Sequence, residues 1–515
     1  MPQHEPNENR FYMLQRTGLT CDRQKEGDFP DRQAPVDFEK GGIVKSRRLC
    51  SLLIWSFLLG VTPWGWGQAR RQTATYRQLK AYLDSVPAID THDHLQPFDQ
   101  LPGYVQTEWG RGMNLFGVLH SAYYPWINPL TGWEPGETFD KWWAEARHSF
   151  DDARATNLYQ YLLPAFQDLY GVDFNHITDA QARGLDRRIF ENYKDQRWLS
   201  EVITKRANIE LMFIDPYWAR LDFRTDYPFA VLVFNVTSLV WGFHSSEYQP
   251  RYHPMYFGVF DDPYLFASQR GLPANSLDDY LALLDHIFAE AKAHGAVCLK
   301  STLAYERTLQ FENVPRERAA RVFGRPRSDL NPEEVKAFED FIMWRLAELS
   351  AKYDLPFQIH TGVARLRDSN PMLLLDLIEG NPHTKFILFH GGFPWVDETG
   401  AIVFSEMGGA KNVWIDSVFL PIQSSTMAER AYHEWLDVMP SDRIMWGSDD
   451  RTAEGIYGAT EFTRRCLAGV LAEKVDNGDI SDEVARGIGK QIVRDNALKL
   501  FPQLKARLRT DGGKH

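Results

Sequence analysis

The sequence predicts a (β/α)8 barrel with a helical insertion after the first strand. Eight short apolar runs alternate with longer amphipathic stretches, and no repeat of fixed period competes with this pattern. Each run is almost continuously apolar, which is typical of parallel strands that are buried on both faces. Strands and helices that alternate eight times indicate a closed parallel barrel. The eight runs are residues 88–90, 209–215, 229–236, 296–301, 356–361, 385–390, 412–417 and 443–449.

Helices are predicted between these runs. Residues 277–294 and 332–352 carry apolar side chains at three-to-four spacing, and Asn331 with the following proline is a helix-start signal. Residues 482–501 have the pattern of a final outer helix. The barrel is therefore expected to span residues 86–505.

One interval is too long for a simple connection. No apolar run occurs between His94 and about residue 205, but residues 139–150 and 157–170 have helical patterning and many aromatic side chains. We therefore expect residues 96–204 to form a helical insertion on the loop face, where active sites of barrels form and where it could cap a pocket.

Composition excludes several classes of protein. The 515 residues are 44% hydrophobic and 24% charged, which is ordinary for a soluble globular protein. The formal net charge of −12, without a concentrated basic face, argues against nucleic acid as a partner. The four cysteines lack CxxC spacing, so a thiolate zinc site is not indicated, and Cys298 and Cys466 are expected as buried free thiols. Walker A, GxGxxG and GxSxG motifs are missing from the sequence.

The N-terminal region predicts a processing segment. Residues 1–44 are polar and indicate a disordered leader or a mis-assigned translation start. Residues 45–69 contain a basic cluster, a short apolar run and a stretch of small residues, which is the order of a signal peptide or an N-terminal anchor. We expect an exported protein, periplasmic or extracellular, if the segment is cleaved, and a membrane-anchored one otherwise. No stable membrane span is expected in the mature protein.

The first strand ends in a pair of histidines. His92 and His94 are two residues apart, so their side chains can face the same side of the strand and point into the barrel. Two neutral imidazoles at this spacing can chelate a metal. Taken alone, the pair fits two structural histidines equally well.

Three more ligand-type residues follow other predicted strands. His360 ends the fifth run, His390 the sixth and Asp449 the eighth. Catalytic residues of these barrels come from the carboxyl ends of several strands, so the combined set predicts a divalent metal site. Zinc suits a histidine-rich site with a carboxylate best, and manganese or iron would also fit.

The order of motifs resembles the amidohydrolase superfamily. The sequence is closest to the amidohydrolase-related group, which includes uronate-isomerase-like proteins and the amidohydrolase-like half of certain glutamine-synthetase fusion proteins. The resemblance covers roughly residues 86–505. It is carried by the motifs DTHDHL (90–95), LKS (299–301), QIHTG (358–362), FHGGFPW (389–395) and WGSDD (446–450).

This resemblance implies roles for the five strand-end residues. His92, His94 and Asp449 would bind the metal. His360 and His390 would bind the metal, or the substrate and the attacking water, depending on the subgroup. We include His360 among the expected metal ligands, and Asp449, His390, His360 and Lys300 among the expected catalytic residues.

Lys300, at the end of the fourth run, leaves three interpretations open. In binuclear members of the superfamily a lysine at this place is carbamylated and bridges two metals. Lys300 could instead be an unmodified cation that faces the substrate, which we favour, or a structural lysine. The resemblance also implies Tyr305 and Arg307 as substrate-binding residues, although the spacing before Arg307 is one residue longer than in related sequences.

The expected chemistry is hydrolysis by activated water. A divalent cation lowers the pKa of a bound water from 15.7 to about 7. Asp449 would take the proton and pass it to the leaving group, while His390 or His360 polarises the carbonyl. Arg365 and Arg451 follow strands five and eight and, with Arg307, suggest a carboxylate on the substrate. Solvated surface arginines explain each of these residues equally well.

The sequence thus predicts a metal-dependent hydrolase that cleaves a C–N or C–O bond in a small, carboxylate-bearing molecule. A decarboxylase or a uronate-type isomerase on the same metal site is the alternative, because a fold does not fix a reaction. A non-catalytic binding barrel is a third reading, and the intact ligand set speaks against it. The oligomeric state, including a homo-oligomer, stays open.

Overall fold

The computed structural model describes residues 73–249, 251–253, 258–404 and 411–511. The predicted leader (1–44) and signal segment (45–69) lie outside the described residues. Among those that are described, no helix is both long and apolar enough to span a bilayer.

Eight parallel strands form the barrel, in the order β1-β4-β5-β6-β7-β8-β9-β10. Each of the eight predicted runs overlaps one of these strands, so the predicted fold class is confirmed. The strands are short and almost wholly buried, which is why the sequence shows continuous apolar runs. Their bounds are β1 Ala88–Asp93, β4 Ile209–Ile214, β5 Ala230–Asn235, β6 Cys298–Ser301, β7 Phe357–Ile359, β8 Phe386–Leu388, β9 Val413–Asp416 and β10 Ile444–Met445.

The first and last strands of the barrel lie side by side. Hydrogen bonds join β1 to the segment after β10, and we call this junction the seam. The amide of Thr91 donates to the carbonyl oxygen of Trp446 over 3.2 Å, and the amide of Asp449 donates to that of His92 over 3.0 Å. The Thr91 hydroxyl also donates to the Trp446 carbonyl, over 2.6 Å. The segment after β10 therefore runs directly beside the end of β1.

Helices surround the strands, and the two predicted with the clearest periodicity are present. The second of them begins at Pro332 after an Asn331 cap, which satisfies its first free amides. Outside the insertion, the helices are α1 Ala74–Ser85, α8 Pro263–Arg270, α9 Leu277–Ala293, α10 Arg316–Val322, α11 Pro332–Tyr353, α12 Leu375–Gly380, α13 Val396–Phe404, α14 Leu420–Gln423, α15 Ser425–Val438, α16 Ala453–Asp476, α17 Asp482–Lys490, α18 Asn496–Leu500 and α19 Leu504–Asp511.

The insertion between β1 and β4 is mostly helical, as predicted. Its helices are α2 Leu115–Ser121, α3 Phe139–Ala153, α4 Asn157–Gln160, α5 Leu163–Tyr170, α6 Asp179–Asn192 and α7 Gln196–Glu201. Buried aromatic rings pack between these helices, as Trp142 does on Phe116 and Phe150 on Tyr159. The insertion also contains an antiparallel hairpin, β2 Val105–Thr107 and β3 Gly110–Gly112. The sequence predicts no strand here. Both strands are only three residues long and contain no apolar run.

The C-terminal helix differs from its prediction. Residues 482–501 are not one helix, because a π-helical turn at Gln491–Asp495 separates α17 from α18, and α19 follows as the last helix. The Nδ2 of Asn496 donates to the carbonyl oxygen of Ile444 over 2.8 Å, and the Trp446 indole donates to that of Val493 over 3.0 Å. These bonds tie the interrupted helix to β10, and sequence periodicity does not record them. Cys298 and Cys466 are buried free thiols, as expected.

Candidate metal centre

Three ligand-type side chains converge at the carboxyl end of the barrel, beside the seam. His92 lies on β1, His94 directly follows it, and Asp449 lies in the turn after β10. One ligand atom from each lies within 4.8 Å of the other two. The Nε2 atoms of His92 and His94 are 3.9 Å and 3.2 Å from Oδ1 of Asp449. Both imidazoles thus direct the same nitrogen at one carboxylate, as the strand pleat predicts.

The backbone and neighbouring groups hold these side chains in place. Nδ1 of His94 lies 3.3 Å from the carbonyl oxygen of Asp215, so this nitrogen carries the hydrogen and Nε2 is left to bind. Asp449 has a φ of 57°, in the left-handed region that non-glycine residues rarely adopt. The hydrogen bond that its amide donates to the His92 carbonyl oxygen over 3.0 Å stabilises that conformation. Such strain persists only where the surroundings determine it.

The charge states suit a cation. Burial, together with the charge of Lys300, lowers the pKa of His92 well below its usual value, so the ring is neutral. Burial alone would raise the pKa of Asp449, but the hydrogen bond and charge of His94 outweigh it and the pKa is lowered. A neutral imidazole and an ionised carboxylate are donor types that zinc and similar divalent ions bind. The three residues therefore fit a metal.

His360 and His390 form a pair next to this cluster. Nε2 of His390 lies 3.0 Å from Nδ1 of His360, and Nδ1 of His390 is 3.2 Å from the Val418 carbonyl oxygen and 4.0 Å from Oδ2 of Asp449. Burial lowers the pKa of His390 to about 3 and that of His360 well below its usual value. Both rings are neutral at pH 7. His360 thus contacts His390, and His390 in turn lies near the Asp449 carboxylate.

Lys300 is buried at the end of β6. Its exposed fraction is 1%, and its Nζ lies 3.6 Å from the centre of the Phe389 ring. Burial lowers the pKa of Lys300 to about 8, although the charges of Asp215, Asp449 and Asp416 oppose this shift. The amine is therefore a buried group that titrates close to neutral pH. The sequence alone did not determine its charge.

Two of the three predicted substrate-binding arginines have acidic protein partners. Arg307 forms ion pairs of 2.9 Å with Glu339 and 2.5 Å with Asp340, and all three side chains are largely buried. Arg365 pairs with Asp368 over 3.0 Å and is 55% exposed. These contacts give each guanidinium a structural explanation.

Arg451 and Tyr305 lie nearer to the cluster. The guanidinium of Arg451 is 5.3 Å from the centre of the Tyr123 ring, and it donates to the carbonyl oxygen of Ser121 over 3.5 Å. The Tyr305 ring is 4.5 Å from the His360 ring. Both residues are thus close to side chains of the site.

Several neighbours of the cluster were not predicted. Asp215 follows β4 and Asp416 ends β9, so the same strand-end rule that selected His360 could have found them. Asp416 accepts a hydrogen bond of 2.5 Å from the Thr91 hydroxyl. Tyr123, in the insertion, donates to Oδ1 of Asp449 over 3.3 Å, and no sequence pattern points to it.

Comparisons with known proteins agree with this architecture. Residues 271–503 match the family model described as amidohydrolase. The fluG protein of Emericella nidulans is 32% identical over 155 residues, which is 28% of this chain and 17% of that protein. The match therefore spans less than a fifth of that relative's length.

Two solved structures share the fold. Uronate isomerase from Thermotoga maritima has a TM-score of 0.61 and 16% identity, covering 87% of this chain and 100% of that chain. A protein from Lactobacillus casei with the provisional description of metal-dependent hydrolase has a TM-score of 0.57 and 16% identity, covering 83% and 98%. Residues 271–503 thus match the amidohydrolase family, and the eight-stranded barrel shares its fold with these two proteins.

Proposed function

We propose that this protein is a metal-dependent hydrolase that cleaves a C–N or C–O bond in a small anionic molecule. The observation that carries the proposal is the convergence of His92, His94 and Asp449 at the carboxyl end of the barrel, with all ligand atoms within 4.8 Å of one another. This is the end where barrels of this kind carry their active sites. When bound there, a divalent cation would activate water and polarise a carbonyl group.

The protein groups supply the proton transfers. Asp449 is ionised because its pKa is lowered, so its carboxylate can accept a proton at neutral pH and return it to a leaving group. His390, neutral and 4.0 Å from that carboxylate, can orient a polar group of the substrate. His360 would act through its contact of 3.0 Å with His390.

Substrate charge would be recognised by Lys300 and Arg451. Lys300 is buried close enough to Asp449 for their charges to interact, and the Arg451 guanidinium faces Tyr123, which itself bonds to Asp449. Arg307 and Arg365 lie in ion pairs with acidic residues, so they offer less to a ligand. A carboxylate beside the scissile bond suits such a pair of cations.

A uronate-type isomerase is the second candidate, favoured by the likeness in fold to uronate isomerase over 87% of this chain. An isomerase would use the same carboxylate and histidines to move a proton between neighbouring carbons, without adding water. A decarboxylase would release carbon dioxide at the same site. Fold does not decide among these reactions.

Metal content, followed by product analysis, tests the proposal. Full-length protein would be assayed by elemental analysis beside His92→Ala and, as a control, His176→Ala, which alters a histidine that is 83% exposed. We expect about one equivalent of a divalent metal in wild type and the control, and loss in His92→Ala. Turnover in ¹⁸O-labelled water should then label the product.

Wild-type protein that binds no metal after reconstitution would contradict the proposal. Bound metal with interconversion of an aldose and a ketose, or release of carbon dioxide, and no incorporated label would replace hydrolysis by the corresponding alternative. Two equivalents would favour a carbamylated Lys300.

A further inference from the structure

Tyrosines of the insertion bond to the acidic residues that follow β10. The partners are the metal-site residue Asp449, its neighbour Asp450, and Glu454 in the first turn of α16. All of these tyrosines and carboxylates are buried. The contacts are Tyr123 with Asp449, Tyr161 with Asp450, and both Tyr170 and Tyr193 with Glu454.

Tyr161 has a central place in this set. Its hydroxyl donates to Oδ2 of Asp450 over 2.8 Å and accepts from the amide of Tyr123 over 3.1 Å. It is fully buried, at 0% exposure. One hydroxyl therefore joins the residue beside Asp449 to the backbone of the tyrosine that contacts Asp449 itself.

Asp450 connects this hydroxyl to both sides of the metal centre. It follows Asp449 in the chain, so its position limits the conformation of that residue. Its carbonyl oxygen accepts from the amide of His94 over 3.1 Å, and its own amide donates to Oδ2 of Asp93 over 3.1 Å. The other oxygen of its carboxylate accepts from the amide of Arg451 over 2.7 Å. A shift of Asp450 would thus move candidate ligands that follow both the first and the last strand of the barrel.

The close approach between the insertion and α16 makes this contact specific. A Cβ atom added at Gly458 would lie 2.0 Å from the carbonyl oxygen of Tyr161, so only glycine allows this distance. Glu454, one turn earlier, has both carboxylate oxygens bonded to tyrosine hydroxyls, including one of 2.7 Å from Tyr193. The insertion is therefore docked on the β10–α16 segment at several points.

We propose that Tyr161 is a positioning residue for the metal centre, acting through Asp450, and that the docked insertion thereby completes the metal site. Asp449 adopts a left-handed conformation, which the surrounding contacts must maintain. Mutation of groups that orient metal ligands typically weakens metal binding by about 10- to 100-fold. The inference rests on the proposed metal site.

Zinc affinity of matched tyrosine variants tests this inference. Tyr161→Phe removes the hydroxyl and keeps the ring. Tyr159→Phe is the control, because Tyr159 is also buried in the insertion but its hydroxyl donates to Asn175 over 2.8 Å, within the insertion. The dissociation constant for Zn²⁺ would be measured on the full chain by competition with a chromophoric chelator. The melting temperature of the metal-free form and the visible spectrum of the Co²⁺ form would be recorded for each variant.

We expect Tyr161→Phe to bind zinc about 10- to 100-fold more weakly than wild type and to change the Co²⁺ spectrum, because the ligand geometry relaxes. Tyr159→Phe should keep the wild-type affinity and spectrum. Wild-type zinc affinity in Tyr161→Phe would overturn the inference while leaving the metal site intact. Equal losses of melting temperature in both variants with unchanged zinc affinity would overturn it too, since the role would then be structural only.

Wild-type protein that binds no zinc would overturn both the proposed metal site and this inference. If Tyr161→Phe does not fold, Asp450→Asn replaces it, because the amide keeps the shape of the carboxyl group and weakens the bond to the Tyr161 hydroxyl. Reduced zinc affinity in Asp450→Asn would support the inference, and wild-type affinity would contradict it.

Discussion

The seam between β1 and β10 and the loops after β6 and β7 both supplied candidate site residues, with different outcomes. At the seam, His92, His94 and Asp449 converge. After β6 and β7, the guanidiniums of Arg307 and Arg365 pair with acidic side chains of the protein. The seam residues lie in or next to backbone that is hydrogen-bonded across the seam. The arginines lie on loops with several acidic neighbours.

This difference shows which kinds of site residue can be identified from their position in the sequence. Near a strand end the pleat sets the side-chain direction, so spacing in the sequence predicts geometry. A long side chain on a loop selects its partner from whatever lies within reach, and the sequence does not reveal that partner. The following predictions test this contrast.

The largest effect is expected from the seam. Asp449→Ala should weaken metal binding by more than the roughly 100-fold that follows loss of a residue that merely orients a ligand. His360→Ala should retain the metal, because His360 contacts His390 at 3.0 Å and is not one of the three converging residues. Competition with a chelator measures both. Loss of metal in His360→Ala would make His360 a fourth ligand, as the sequence led us to expect.

Lys300 should produce the next largest effect. Its pKa is lowered from 10.5 to about 8, so the amine is charged below pH 8 and neutral above it. If the cation faces the substrate, kcat/KM falls as pH rises through about 8. Lys300→Met should lose about 10²- to 10³-fold of kcat/KM, as removal of a single charge-stabilising group does.

Lys300→Arg is the matched variant, because its charge persists at high pH. Its pH profile should lack the fall near pH 8, even if its activity is low. An unchanged alkaline limb in Lys300→Arg would assign that limb to another group.

Arg307→Ala tests the loop side. Its guanidinium pairs with the buried Asp340 and the 10%-exposed Glu339, so removal leaves the Glu339 carboxylate without its ion-pair partner, whereas Asp340 keeps its contact with Lys336. We expect the free energy of unfolding to fall by about 3 kcal/mol, with KM unchanged, as measured by chemical denaturation and steady-state kinetics. A raised KM at unchanged stability would instead support the substrate-binding role predicted from sequence.

Arg365→Ala should give the smallest effect. The ion pair with Asp368 is exposed to solvent, and such pairs contribute at most about 1 kcal/mol. Denaturation should therefore barely distinguish the variant from wild type. An effect on KM without an effect on stability would show that Arg365 contacts the substrate.

The barrel and its ligand-bearing ends could be predicted because the physics is local. Buried parallel strands leave continuous apolar runs, and His92 and His94 follow from a two-residue period. Asp215 and Asp416 also lie at strand ends. The sequence around them resembles no known motif, so the motif comparison does not identify them.

Other features depend on contacts between distant residues. Tyr161 contacts Asp450 only because the insertion folds back over the barrel, and nothing near Tyr161 in the sequence records this. The β2–β3 hairpin is too short for a periodic signal, and the π-helical turn at Gln491–Asp495 depends on bonds to β10. In each case the partner lies far along the chain or the element is below the length that periodicity detects.

The seam also sets the order of events during synthesis. His92 and His94 emerge from the ribosome with the first strand, and Asp449 emerges only after the last one. A nascent chain that has reached β9 holds two imidazoles and lacks the carboxylate that completes their site. Metal capture at the proposed centre would thus be coupled to barrel closure, because a chain interrupted before residue 449 lacks one of the three candidate ligands.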